Sequence, residues 1–173
     1  LEQGVDAVAY SGGKCLRGPQ ASGLVLGRKA LLQAAFLNGC PHGSIGRPMK
    51  VGKEEIMGLL AAVEQWTVRD HQAEWQEWER RLAVISEAAT AFATVETSIS
   101  QPGRSNVAPH LSISWYAGQL GLSGSEVAVR LSSGEPRIEL GGGENGISIN
   151  PYMMEEGDAE QVAQRLTAVL SNT

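Results

Sequence analysis

The sequence predicts an α/β chain, formed by the closing strands of a large α/β domain followed by a small α+β domain with an antiparallel sheet. Three observations carry this. Two short apolar, β-rich runs, residues 5–10 and 22–27, flank a glycine-rich turn near the start. A helical pattern of about forty residues begins at Lys53, well beyond the usual three or four turns. After it, alternating runs mix with amphipathic stretches, as expected of strands and helices that share one core. The expected division is 1–46 for the end of the large domain and 47–173 for the small domain, led by its long helix.

Residues 5–10 and 22–27 are bounded by glycine and rich in apolar side chains, which suits strands of a sheet covered on both faces. Residues 28–37 read as a short helix, stopped by Asn38-Gly39 and by Pro41 beyond it. A Gly/Pro-rich connection follows over 38–49. From Lys53 onward, Ile56, Leu59, Leu60 and Val63 form one stripe, and Trp75, Trp78, Leu82 and Ile85 another. One long bent helix fits, as do two helices joined between Thr67 and His71. Glu54 and Glu55 occupy the first turn, where negative charge complements the helix dipole. The tryptophan stripe reads as packing, for example at a subunit interface, rather than as a cofactor platform.

Residues 94–100 and 110–116 alternate like half-buried strands, joined by a loop carrying Gln101-Pro102-Gly103-Arg104. Over 123–131 a helix is expected, because Ser123 and Glu126 have capping-box spacing. Residues 136–140 and 146–150 read as a hairpin across Gly141-Gly142-Gly143-Glu144-Asn145. The closing helix, 158–170, has Asp158 as its cap and Val162, Leu166, Val169 and Leu170 on its inner face.

At 173 residues the chain has the length of one domain or of part of a larger unit. Residues 1–6 enter the first strand with no helix, cap or start signal, so the chain reads as the C-terminal piece of something longer. Hydrophobic residues at 42% and charged residues at 19% are values of a folded globular protein, not of a disordered one. A net charge of -5 disfavours nucleic acid and anionic membrane surfaces, leaving one local basic patch at Arg47, Lys50 and Lys53 that suits an anion. Two cysteines make no disulfide framework, and no apolar run reaches the roughly 20 residues of a membrane span. No secretory signal is seen, and cytoplasmic location is the default.

Several short patterns fail on context. Gly141 to Gly146 matches G-x-G-x-x-G, yet it leads into the β-type run Ile147-Ser148-Ile149 where a dinucleotide loop must open a helix. Gly13-Lys14 is not a P-loop, since Val8 stands where the earlier glycine belongs and Cys15 where Ser or Thr belongs. Cys40, His42, His71 and His110 show no metal-ligand spacing, so no metal is expected. There is no Gly-x-Ser-x-Gly elbow for a serine nucleophile.

Lys14 remains. It follows a Ser-Gly-Gly turn where two β-type runs meet, an arrangement that presents an amine; by spacing alone it is also an ordinary solvated loop lysine. Its neighbours narrow the choice. Ser11-Gly12-Gly13-Lys14 with Leu16, Gly18-Pro19-Gln20 and Gly23 resembles the lysine region of fold type I pyridoxal-phosphate enzymes, in the branch of bacterial selenocysteine synthase, the L-seryl-tRNA selenium transferase. Within that branch, Ile45-Gly46-Arg47-Pro48-Met49-Lys50-Val51-Gly52-Lys53-Glu54 looks like the following segment of D-glucosaminate-6-phosphate ammonia-lyases. The resemblance spans the whole chain.

The resemblance implies that Lys14 holds pyridoxal 5'-phosphate as a Schiff base and is the base that removes the Cα proton. It implies that Ser11 touches the cofactor phosphate, and that Gly12 and Gly13 let the backbone pass close to the cofactor. Arg17 and Arg47 are candidates for a substrate carboxylate or phosphate, or equally for pinning a loop. Gln20 is a candidate for positioning the turn or a neighbouring site across a dimer. The acid facing the pyridine nitrogen and the side chain stacked on the ring are expected upstream of Leu1, which makes the chain a fragment, a partly ordered chain or half of a split enzyme. The implied activity is α,β-elimination of ammonia from a hydroxylated, phosphorylated amino sugar acid, in a homodimer or higher homo-oligomer that takes a small-molecule substrate. The alternatives are selenium transfer on seryl-tRNA, disfavoured by the acidic charge, and a non-catalytic dimerisation module built on the long helix.

Overall fold

The structure is a computed structural model and describes residues 4–102 and 107–171. Residues 1–3 of the expected chain entry, and Gly103 and Arg104 of the expected loop, lie outside the described residues. The chain forms two compact units, Leu1–Arg69 and Asp70–Thr173.

In the first unit, β1 (Ala7–Ser11) and β2 (Gly23–Gly27) pair antiparallel, with Ala7 opposite Gly27 and Ser11 opposite Gly23. The sequence suggested strands covered on both faces; among the described residues the pair is a two-stranded ribbon in which Val25 and Leu26 are about half exposed. α1 (Lys29–Asn38) ends where Gly39 donates its N–H to the Phe36 carbonyl. The chain then loops back, Gly46 donating to the Asn38 carbonyl at 2.8 Å, and passes through a short 3-10 helix, Arg47–Met49. α2 (Lys53–Val68) follows, with Glu54 and Glu55 in its first turn. Of its apolar stripe, Leu59 is buried together with Ala62, whereas Ile56 and Leu60 are exposed.

The forty-residue helical pattern resolves into two helices. α2 stops at Val68 and α3 (His71–Thr90) starts anew, because the Asp70 carboxylate accepts the Ala73 N–H at 2.9 Å and caps it. This break is also where the two compact units divide, so α2 belongs to the first.

The second unit carries a four-stranded antiparallel sheet in the order β3-β4-β6-β5, with β3 Val95–Ser100, β4 His110–Trp115, β5 Gly141–Gly142 and β6 Gly146–Ile149. Strand alternation places Leu111, Ile113, Trp115, Ile147 and Ile149 in the core and leaves Ser112, Ser114 and Ser148 exposed. α3, α5 (Gly124–Ser132) and α6 (Asp158–Ser171) close that core with Leu82, Ile85, Val127, Leu131, Leu166 and Leu170. The buried Trp115 indole is satisfied by the Leu122 carbonyl at 2.7 Å. A one-turn helix, α4 (Ala117–Leu120), precedes α5 and was not anticipated.

The Ser123–Glu126 capping box is present in full. Beyond it, the first arm of the expected hairpin is only Gly141–Gly142 long. Residues 136–140 form no strand: the Ile138 N–H is taken by the Leu131 carbonyl at the end of α5, while Ile138 and Leu140 pack on the core. The glycine run has its own packing reasons. Gly124 and Ser125 donate their N–H groups to the Glu144 and Gly143 carbonyls at 3.1 and 2.8 Å, so the turn seats directly on the first residues of α5. Asp158 begins α6, and its carboxylate accepts the Glu155 N–H instead of one inside the helix.

On α3, Glu77 bonds Arg80 at 2.9 Å and Arg81 at 2.8 Å. The hydrogen bonds from Arg80 and then Arg81 lower its carboxyl from the ordinary 4.5 to about 2. A carboxylate held down in the folded state adds stability above its unfolded value and loses it as pH falls from 4.5 toward 2. Glu77→Gln is therefore expected to be less stable than the native protein at pH 7, with the gap closing in acid. Urea midpoints at pH 7 and pH 3 check this; a gap that stays constant would contradict it. The effect is modest, since these side chains are partly exposed.

Candidate functional site: a clamped lysine turn

Ser11 ends β1, and Gly13, Lys14 and Arg17 follow it in the connection to β2. Gly12 closes its base, donating to the Ser22 carbonyl at 2.9 Å and accepting from the Gly18 N–H at 2.8 Å. Within that base, Arg17 donates its N–H to the Lys14 carbonyl at 2.8 Å, forming a tight turn. Arg17 sits at φ 59°, a left-handed conformation that costs a non-glycine residue about 1 kcal/mol and that the surrounding bonds must hold.

The glycines are required by close approach. A Cβ on Gly12 would stand 2.0 Å from Ser22 Oγ and 2.9 Å from the Ser22 carbonyl carbon; one on Gly13 would stand 2.7 Å from Gln20 Cα. Two side chains fasten the same turn from its second half. Gln20 donates through Nε2 to the Gly13 carbonyl at 3.3 Å, and Ser22 Oγ donates to the Pro19 carbonyl at 2.6 Å. Leu16, two residues after Lys14, is buried, and Gly18 lies against Leu59 and Ala62 of α2.

From this anchored backbone Lys14 extends into solvent, and among the described residues no acid pairs with its ammonium. Ser11 is exposed at the end of β1, opposite Gly23. The donor set fits pyridoxal phosphate on the side where the group is attached: one available primary amine on a backbone with little freedom, a hydroxyl three residues earlier, and no Cβ on the two residues between them.

Arg47 lies in a different part of the unit, in the 3-10 helix, where its guanidinium donates to the Pro41 carbonyl of its own loop. That is the loop-pinning role the sequence left open beside anion binding. A groove lined by Leu24, Val51, Ile56, Leu60 and Val63 opens at the β2 end of the turn; its one charged lining residue is Glu55. Apart from Ser22 the rest of its lining is apolar or glycine, and it holds no cation for a phosphate or carboxylate. Sequence reasoning put Leu59 on an apolar stripe but missed that it, with Gly58 and Ala62, lies against the turn. Glycine in the interior of an apolar helix was the available signal.

No family model matches the chain. Three curated proteins are similar to it. A D-glucosaminate-6-phosphate ammonia lyase of Salmonella typhimurium is 30% identical over 174 residues, covering 98% of this chain and 44% of the relative. A 5'-C-glycyluridine monooxygenase-decarboxylase of a Streptomyces species is 27% identical over 173 residues, covering 98% of this chain and 42% of that protein. An L-seryl-tRNA(Sec) selenium transferase of Proteus mirabilis is 40% identical over 63 residues, 36% of this chain and 12% of the transferase. Among solved structures, D-glucosaminate-6-phosphate ammonia-lyase matches with a TM-score of 0.62 and 27% identity, over 99% of this chain and 45% of that one. The matched region is the C-terminal portion of the lyase, and the chain spans under half the length of these relatives.

Proposed function

We propose, for a chain homologous to D-glucosaminate-6-phosphate ammonia lyase and L-seryl-tRNA(Sec) selenium transferase, that it forms the lysine-bearing part of a pyridoxal-phosphate lyase. The reaction is α,β-elimination on a hydroxylated, phosphorylated amino sugar acid, with release of ammonia and a 2-keto-3-deoxy acid. The observation that carries this is the exposed Lys14 amine, which no acid pairs with among the described residues, on a turn held at Gly12, Gly13, Leu16 and Gly18.

When bound, the cofactor supplies an electron sink for the pair left at the substrate Cα. The roles that follow belong to this chain. Lys14 would hold the group covalently through its amine and, with that amine free, would take the Cα proton of a bound substrate. Ser11 would offer its hydroxyl to the cofactor phosphate, and Gly13, which carries no Cβ, would leave room beside the lysine. The Cα proton and the Cβ hydroxyl would leave together as one water, and the resulting enamine would take up one water to give the keto acid and ammonia. Arg17 and Arg47 meet the substrate's anionic groups, Arg47 only by giving up its bond to Pro41.

The large domain of the whole enzyme would end at residue 46 and the small domain begin at 47. The exposed Val25, Leu26, Phe36, Ile45 and Met49 of the first unit support a larger assembly, which we take to be a homodimer or higher homo-oligomer. Among the described residues no helix is long and apolar enough to cross a membrane.

The test is release of ammonia and keto acid from D-glucosaminate 6-phosphate by the intact protein. Turnover supports the reading; an intact protein that carries the cofactor on Lys14 yet leaves this compound unchanged overturns the substrate assignment. A second reading, selenium transfer onto seryl-tRNA, rests on the 40% identity over 63 residues. Selenium incorporation into seryl-tRNA by the same preparation would favour it.

A further inference from the structure

We infer that Gly58, in the interior of α2, is a positioning residue for Lys14 and acts through Pro19; the inference rests on reading Lys14 as the cofactor lysine. α2 is a 16-residue helix, and glycine in its interior is unfavourable relative to alanine. A local contact accounts for the choice. A Cβ on Gly58 would stand 2.6 Å from Pro19 Cγ and 3.1 Å from Pro19 Cδ. The Pro19 ring thus rests on the bare backbone of the helix.

Pro19 is tied to the lysine turn on both sides. Its carbonyl accepts the Ser22 hydroxyl at 2.6 Å, and Ser22 in turn accepts the Gly12 N–H. The residue before it, Gly18, donates to the Gly12 carbonyl and lies 3.2 Å, by its would-be Cβ, from Leu59 Cδ1. Because proline fixes its own φ, the ring cannot swing aside without moving Gly18, and Gly18 closes the loop that carries Lys14. A methyl group at position 58 therefore lifts Pro19 and shifts the lysine while leaving the helix intact. The neighbouring Met57 is 62% exposed and serves as a control on the same helix.

The experiment uses the intact protein loaded with pyridoxal phosphate and compares Gly58→Ala, Met57→Ala, Pro19→Ala and the double variant Gly58→Ala/Pro19→Ala. Two readouts report the lysine directly: the pH midpoint of the visible band, and the rate at which borohydride fixes the cofactor. Gly58→Ala is expected to move the pH midpoint and slow fixation about tenfold, the size of coupling usual for residues in contact. Met57→Ala should change neither readout. In the double variant the missing ring makes room for the methyl group, so most of the defect should disappear. Gly58→Ala with native midpoint and rate, or a defect that Pro19→Ala does not relieve, overturns the inference and leaves the reading of Lys14 standing. A native protein that fixes no cofactor on Lys14 overturns both.

Discussion

Lys14→Ala in the intact protein is expected to abolish the visible band given by pyridoxal phosphate and to lower ammonia release by at least about a thousandfold, the scale of a lost proton-transfer group. Stability should change by less than about 0.5 kcal/mol, because the side chain is exposed and makes no ion pair among the described residues. Lys14→Arg is the informative companion. It keeps the positive charge and most of the length, but a guanidinium stays protonated and forms no imine. If Lys14 served only as a charge, arginine would restore activity; on the present reading it restores none. Absorbance, ammonia release and thermal unfolding measured on the three proteins together separate loss of chemistry from loss of fold.

The second large effect is on stability. Gly124→Ala would put a Cβ 1.9 Å from the Gly146 carbonyl oxygen and 2.7 Å from that of Gly143, both backbone atoms of the β5–β6 turn. Neither helix nor hairpin can yield alone, because the Gly124 and Ser125 N–H groups are bonded to the Glu144 and Gly143 carbonyls. We expect a loss of about 3 kcal/mol, at the upper end for overpacking, with a fall in melting temperature of more than about 10 °C. Gly141→Ala, in the same glycine run, meets nothing within 4 Å and should be close to neutral. A Gly124→Ala protein as stable as Gly141→Ala would contradict the seating of the turn on α5.

These two glycines also show where a sequence stops being readable. That the run is a turn follows from what comes after it, since Ile147 and Ile149 alternate as a strand. Which of its glycines tolerates a side chain depends on the first turn of α5, which starts seventeen residues before the run and touches only part of it. The missing strand at 136–140 has the same origin: alternation favoured one, but the Ile138 N–H had gone to the end of α5. The order β3-β4-β6-β5 puts non-consecutive strands side by side, a choice made by packing and not by any local signal.

At the lysine turn the legible part was larger. Ser-Gly-Gly-Lys between two β-type runs is enough to place an amine at a strand junction, and the structure supplies the reason for each glycine in Ser22 and Gln20. The support from α2 was hidden, because its stripe of Ile56, Leu59, Leu60 and Val63 looks uniform in sequence. Only the fold separates the buried Leu59 from the exposed Ile56 and Leu60. Arg47 shows a third limit: its residue type suits an anion, but its guanidinium is engaged by the Pro41 carbonyl, a partner six residues away in a folded loop.

The central claim is that Lys14 is the lysine that carries the cofactor. Its most direct measurement is borohydride reduction of the intact protein with pyridoxal phosphate, followed by mass mapping of the modified peptide. The account predicts one pyridoxyl group, on Lys14. Modification confined to Lys29, Lys50 or Lys53, the other lysines of the chain, or no modification at all, would contradict it.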